Sequence, residues 1–110
     1  MTFIYREHAI QRMFERDIFE ENVEQTIESG IIIEEYIDDK PYPSFLALSL
    51  KNKPLHVVFA KNDEDNEVII ITAYYPNKDK WSEDYKTRIE KWNVWFVNTE
   101  KPKKAQQQLL

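Results

Sequence analysis

The hydrophobic positions of this chain change period once. From Glu7 to about Asp17, the apolar residues Ile10, Met13 and Phe14 recur at helical spacing with Ala9 beside them. Glu20 to Ser29 repeats the pattern with Val23, Thr26 and Ile27, and opens on acidic residues, as a helix dipole prefers. Gly30 stands where a left-handed residue usually ends a helix. Asp17 is a candidate cap between the two helices, whereas Phe19 suits that role poorly. From Ile31 the period becomes two, and strands are expected at about 31–37, 43–51, 54–61 and 67–75. The connectors DDKP, NK and NDEDN are short and built from turn formers, which favours hairpins. The expected fold is α+β, with two N-terminal helices packed on a four-stranded antiparallel meander.

Without a bulge, the turns set a register. A two-residue NK loop pairs Lys51 with Pro54 and puts Ser49 opposite His56. A NDEDN loop pairs Lys61 with Glu67 and puts His56 opposite Thr72, while pairing Ile37 with Tyr42 puts Glu34 opposite Phe45. One face then collects Ile31, Ile33, Ile37, Leu46, Leu48, Leu50, Leu55, Val57, Phe59, Ile69, Ile71 and Ala73, and is expected under the helices. The other mixes Glu34, Tyr36, Phe45, Ala47, Ser49, His56, Val58, Ile70, Thr72 and Tyr74, as the wall of a site or a partner-covered surface would. After Pro76 a helical turn or short helix is expected near Asp79 or Ser82. A single domain therefore spans about 1–91, and 92–110 forms an extension with a strand-like WNVWFVN followed by a polar, disordered tail.

The length of 110 residues suits one domain able to bury a core without staples. Absence of cysteine excludes disulfides, thiolate zinc sites and cysteine nucleophiles, and fits a reducing compartment. The N-terminus has no apolar leader and the chain no bilayer-length apolar run, so a cytoplasmic location and no membrane partner are expected. The net charge of −5 counts against extensive nucleic-acid binding but leaves room for a small basic site. A single glycine excludes a Gly-rich phosphate loop.

His8 and His56 are the only histidines and make no metal-binding spacing, so no metal and no cofactor are expected. Ser44 or Ser49 with His56 lacks the sharp glycine-flanked turn that presents a nucleophilic serine, and a cross-strand hydrogen bond is the simpler reading. His8, Arg12 and Arg16 are spaced four apart and form one helix stripe, which is either a solvated face or a cationic site. His56, with Thr72 opposite and Tyr74 diagonal, and Lys80, Trp81 and Arg88 downstream, assembles side-chain types that can run RNA cleavage through the 2′-hydroxyl. That reaction needs a base, an acid for the leaving 5′-oxygen, and cations for the phosphorane. The alternative is a structural role for a buried, hydrogen-bonded His56 and Tyr74.

The segments HAIQRMFERDI, YPSFLAL, PLHVVFA and IIITAYYPNKDKW, followed by Arg88, resemble the bacterial family catalogued as domain of unknown function 4258. The resemblance runs from about Tyr5 to Arg88. It implies a sheet of the RelE/ParE and BrnT toxin type, whose relatives are mRNA interferases neutralised by an antitoxin, in some cases a small zinc-finger type. Its motifs fall on His8, Arg12, Met13 and Arg16, then Pro43 and Ser44, then His56, then Thr72, Tyr74, Pro76 and Trp81, with Arg88 downstream. This chain departs from the family's Arg-Gly-Ile-Ser at Arg16-Asp17-Ile18-Phe19, losing a flexible turn and a serine cap.

The expected function is a toxin–antitoxin-type, metal-independent mRNA endoribonuclease. His8 and His56 are its acid and base candidates, Tyr74 a positioning group or proton donor, and Arg12, Arg16, Lys80 and Arg88 its phosphate-binding cations. Ser44, Thr72 and Trp81 support them. The rival is a non-catalytic interaction module, or a dimeric binding protein, that uses the mixed sheet face.

Overall fold

The computed structural model of the protein describes residues 1–89. The chain divides into two compact units, Met1–Pro76 and Asn77–Leu110. The expected extension over 92–110 lies outside the described residues.

The first unit runs β1 (Thr2–Tyr5), α1 (Glu7–Glu15), α2 (Glu20–Ser29), β2 (Ile31–Tyr36), β3 (Ser44–Ser49), β4 (Leu55–Asn62) and β5 (Glu67–Tyr74). It is α+β, and the sheet order is β1-β5-β4-β3-β2. Strands β2 to β5 form the expected antiparallel meander. The four-stranded antiparallel description needs correction, because β1 joins β5 in parallel and makes the sheet five-stranded and mixed. Four residues are too few to reveal a period of two, and a parallel pair leaves no hairpin connector in the sequence to announce it.

Each expected hairpin register shifts. Ser49 pairs with Leu55, so the β3–β4 link is longer than the expected NK turn. Pro54 has no N–H to give a ladder and stays outside it, and the Ser49 hydroxyl instead accepts the Lys51 backbone N–H at 3.3 Å. Asn62 pairs with Glu67, which places Asn62 in β4 rather than in the turn. Its buried amide donates to the Tyr42 hydroxyl at 3.2 Å and to Asp65 Oδ2 at 3.1 Å, and Asn66 closes the turn at φ 55°. Bulges at Ile33 in β2 and Ile71 in β5 supply the irregularities that a strict alternation ignores.

The faces change accordingly. Ala47, Leu55, Val57, Phe59, Val68, Ile70 and Ala73 form the core with Ala9, Met13, Ile18 and Val23, and Phe45 packs against it. Leu46 and Leu48, expected under the helices, pair with Val58 and His56 and lie with them on the opposite face. Phe45, Ala47 and Ile70 move the other way. Ile31, Ile37 and Leu50 are exposed. Helix α1 packs on β5, and α2 lies against β3 and β4.

Helix α1 buries Ala9 and Met13, whereas Ile10 and Phe14 face solvent. Its end is a Schellman motif: Asp17 sits at φ 56°, its N–H bonds Phe14 O at 3.4 Å, and the Ile18 N–H bonds Met13 O at 2.9 Å. Met13 and Ile18 both enter the core, the hydrophobic contact that accompanies this motif. Gly30 ends α2 at φ −79° and ψ −171°, extended rather than left-handed. A Cβ there would meet Thr26 O at 2.4 Å and Leu48 O at 2.6 Å, so glycine is needed for close approach and the expected left-handed geometry is corrected.

In the second unit, the chain turns at Asn77–Lys80 and closes a small loop by an antiparallel bridge between Trp81 and Arg88, with no helix among the described residues. Ser82 N–H donates to Thr87 O at 2.8 Å and Ile89 N–H to Lys80 O at 2.7 Å. The Asp84 carboxyl is held below its ordinary pKa, first by the Ser82 hydroxyl and then by the Lys86 N–H.

Candidate functional site

The predicted site residues lie on both faces of the first unit's sheet and in the second unit. His56 and Tyr74 are directly opposite each other on β4 and β5, correcting the expected His56–Thr72 pair. His56 Nδ1 and the Tyr74 hydroxyl share a hydrogen bond of 3.2 Å, and the two rings meet edge to face at 5.2 Å. Thr72 pairs with Val58, one step along on the same face. The pair and Thr72 are therefore brought together as expected. His56, however, has 0% of its surface exposed. Its imidazole cannot touch a substrate in this conformation. Ser44 is also buried, opposite Ala60 at the other end of β3, and its hydroxyl donates to the Asp39 carboxylate.

His8, Arg12 and Arg16 all lie at the surface of the helix layer. That layer covers the Val57 and Ala73 face of the sheet, and His56 belongs to the other face. The two histidines thus do not share a site. Arg12 Nη1 lies 3.3 Å from Glu15 Oε1, with both side chains 47% exposed, a geometry worth little to stability. Arg16 differs: its Nη1 donates to Ala73 O at 2.9 Å, which ties the end of α1 to the end of β5. Lys80, Trp81 and Arg88 belong to the second unit, where the Arg88 guanidinium lies 4.5 Å over the Trp81 ring.

A groove that sequence reasoning missed opens between α2 and the β3–β4 link. It has a volume of about 40 Å³ and is lined by Asn22, Gln25, Thr26, Lys51, Lys53 and Tyr75, among others. The Lys53 ammonium rests 4.1 Å from the centre of the Tyr75 ring. The Tyr75 hydroxyl donates to Asp17 O at 3.1 Å, so the ring is braced by the turn that ends α1. The sequence signal was Lys51-Asn52-Lys53-Pro54, two cations around an amide in an acidic chain, read only as a turn.

Elsewhere, the Tyr5 hydroxyl donates to Glu24 Oε2 at 2.7 Å; burial first, and then this carboxylate, raise the phenol pKa far above its ordinary value. Among the described residues, no group of three or more His, Cys, Asp or Glu side chains is placed to hold a metal ion. No helix of the described residues is long and apolar enough to cross a membrane.

The profile of the family described as Domain of unknown function (DUF4258) matches residues 5–75, which span both helices and strands β2 to β5. No curated protein and no solved structure matches the chain.

Proposed function

We propose that this chain, which belongs to the DUF4258 family, is a toxin-type protein that cleaves RNA through the exposed stripe of α1. The supporting observation is the contrast between the two histidines: His8 is exposed on a helix that also carries Arg12 and Arg16, and His56 is wholly buried. His8 takes the proton from a ribose 2′-hydroxyl. The resulting oxygen attacks the adjacent phosphorus to form a 2′,3′-cyclic phosphate, and the 5′-oxygen leaves with a proton from solvent or from the imidazolium. Arg12 and Arg16 present planar guanidiniums that suit the oxygens of the phosphorane. His56 and Tyr74 then hold the β4–β5 pair together. Kinship with RelE/ParE and BrnT toxins, and an antitoxin partner, belong to the same reading.

Controlled expression in a bacterial host tests it. Growth arrest with new mRNA 5′ ends is expected for the wild type, and both should be lost in His8→Ala and weakened in Arg12→Ala. Full toxicity in both variants would remove the role of the stripe.

A second reading, an interaction module without catalysis, is favoured by one patch. Ile10, Phe14 and Phe19 are 52%, 85% and 66% exposed, large apolar groups that folding leaves in water. These side chains, more than the expected mixed sheet face on which Leu46, Leu48 and His56 are buried, support this reading. Sedimentation of the wild type beside Phe14→Ser measures self-association. A dimer that the substitution dissolves supports the second copy as partner, and monomers in both cases exclude it.

A further inference from the structure

We infer that the groove between α2 and the β3–β4 link is a phosphate-binding site, built by Lys51, Lys53 and the side-chain amides of Asn22, Gln25 and Asn52. It rests on the RNA reading only for the origin of the phosphate, since the groove's own chemistry selects an anion.

The argument begins with what the lining lacks. The chain carries 20 acidic residues against 15 basic ones, yet none of the side chains lining the groove is a carboxylate. Among the described residues, neither Lys51 nor Lys53 is ion-paired. The Asn22, Gln25 and Asn52 amides also make no hydrogen bond there, and each brings two N–H donors. Thr26 and Ser49 are committed locally: the Thr26 hydroxyl donates to Asn22 O at 2.7 Å, and Ser49 Oγ accepts the Lys51 N–H at 3.3 Å. Residues bearing two ammonium groups and three amides thus line one small concavity that no carboxylate residue lines.

The site is also pre-arranged. Lys53 is held over the Tyr75 ring at 4.1 Å from its centre, a cation–π contact that fixes the position of the charge. Tyr75 is fixed by its bond to Asp17 O, and Arg16 on the preceding residue is fixed by its bond to Ala73 O. A volume of about 40 Å³ holds a few water-sized groups, which suits a tetrahedral oxyanion. One face of the Tyr75 ring carries the lysine.

The test uses the full chain and inorganic phosphate, at constant ionic strength balanced with chloride. The side-chain amide signals of Asn22, Gln25 and Asn52 are followed by NMR in the wild type and in the Lys51→Gln/Lys53→Gln variant. The expected result is a saturable shift confined to these amides and the adjacent backbone, with affinity at least about tenfold weaker in the variant, roughly 1.4 kcal/mol. No saturable shift, or the same shift in the variant, overturns the site. A single-stranded RNA oligonucleotide then identifies the source. If the phosphate belongs to RNA, the slope of log affinity against log salt falls by about 0.7 for each lysine that neutralises a phosphate. If phosphate binds as expected and RNA affinity is identical in both proteins, the site stands as one for a small phosphorylated ligand. The RNA contact assigned to it then falls alone.

Discussion

Phe19 occupies the N-cap of α2 with extended dihedrals and makes no side-chain hydrogen bond to the helix. A serine there would accept a free N–H of the first turn, and Phe19, 66% exposed, recovers little by burial. Phe19→Ser is therefore expected to stabilise the protein by about 1 kcal/mol in chemical denaturation. The same variant should lose partner binding if the exposed side chains of Ile10, Phe14 and Phe19 form an interface. His56 behaves oppositely. Removing its ring leaves a buried space and takes a hydrogen-bond partner from the Tyr74 hydroxyl, so His56→Ala should destabilise by about 1–3 kcal/mol. A denaturation midpoint equal to wild type would show that the ring is not structural. The oddity of Phe19 was legible in the sequence, because capping depends on local chemistry. The burial of His56 was only one of two alternatives there, because it depends on what lies over its face of the sheet and not on local chemistry.

Elements stop and start here for reasons that only partly show in composition. Asp17 terminates α1 in the left-handed region, where a β-carbon is crowded. Asp17→Gly should raise stability by about 0.5–1 kcal/mol, less whatever freedom glycine returns to the unfolded chain. The Schellman hydrogen bonds and the Tyr75 contact use only backbone atoms of this residue, so they survive the change. At the end of α2 the prediction reverses. Gly30 is extended, and an added Cβ would press on two backbone carbonyls that cannot rotate away. Gly30→Ala should cost about 1–3 kcal/mol as an overpacking change, measured by the same denaturation series. Glycine was readable at Gly30, but its purpose was visible only once β3 lay against the helix end.

At the scale of the molecule, charge and pH act together. The net charge of −5 repels a polyanion at long range, and the proposed Lys51–Lys53 site would act only at contact. RNA binding should therefore be weak and steeply dependent on salt. Tyr5 adds a pH response. Its phenol pKa is raised in the folded state above the ordinary 10.0, chiefly by burial and then by Glu24. The folded state thus holds the proton more tightly than the unfolded chain. The stability this contributes is complete below about pH 10, where both states are protonated, and is lost as pH rises through and beyond that value. Compared with Tyr5→Phe, the wild type should keep a constant advantage between about pH 6 and 9, from the hydrogen bond to Glu24. That advantage should shrink above about pH 10. A gap that widens there would contradict the assignment.

Local rules acting within a few residues were enough to set the helix pair, the switch from a period of 3.6 to a period of two at Ile31 and the four-strand meander. Each depends on a neighbour no more than one turn away along the chain. Three matters were decided only in three dimensions. β1 joins β5 in parallel, a pairing between the two ends of the first unit that no connector encodes. The shifted β3–β4 turn exchanges the faces of β3, and the bulge at Ile71 those of the first half of β5, since a slip of one residue turns every side chain over. The candidate site needed the assembled sheet as well. His56 and Tyr74 kept their expected face and became directly opposed on it, and Arg16, Lys53 and Tyr75 met at one end of the sheet although they are distant in sequence, because Ala73 O and Asp17 O offered the hydrogen bonds that hold two of them there.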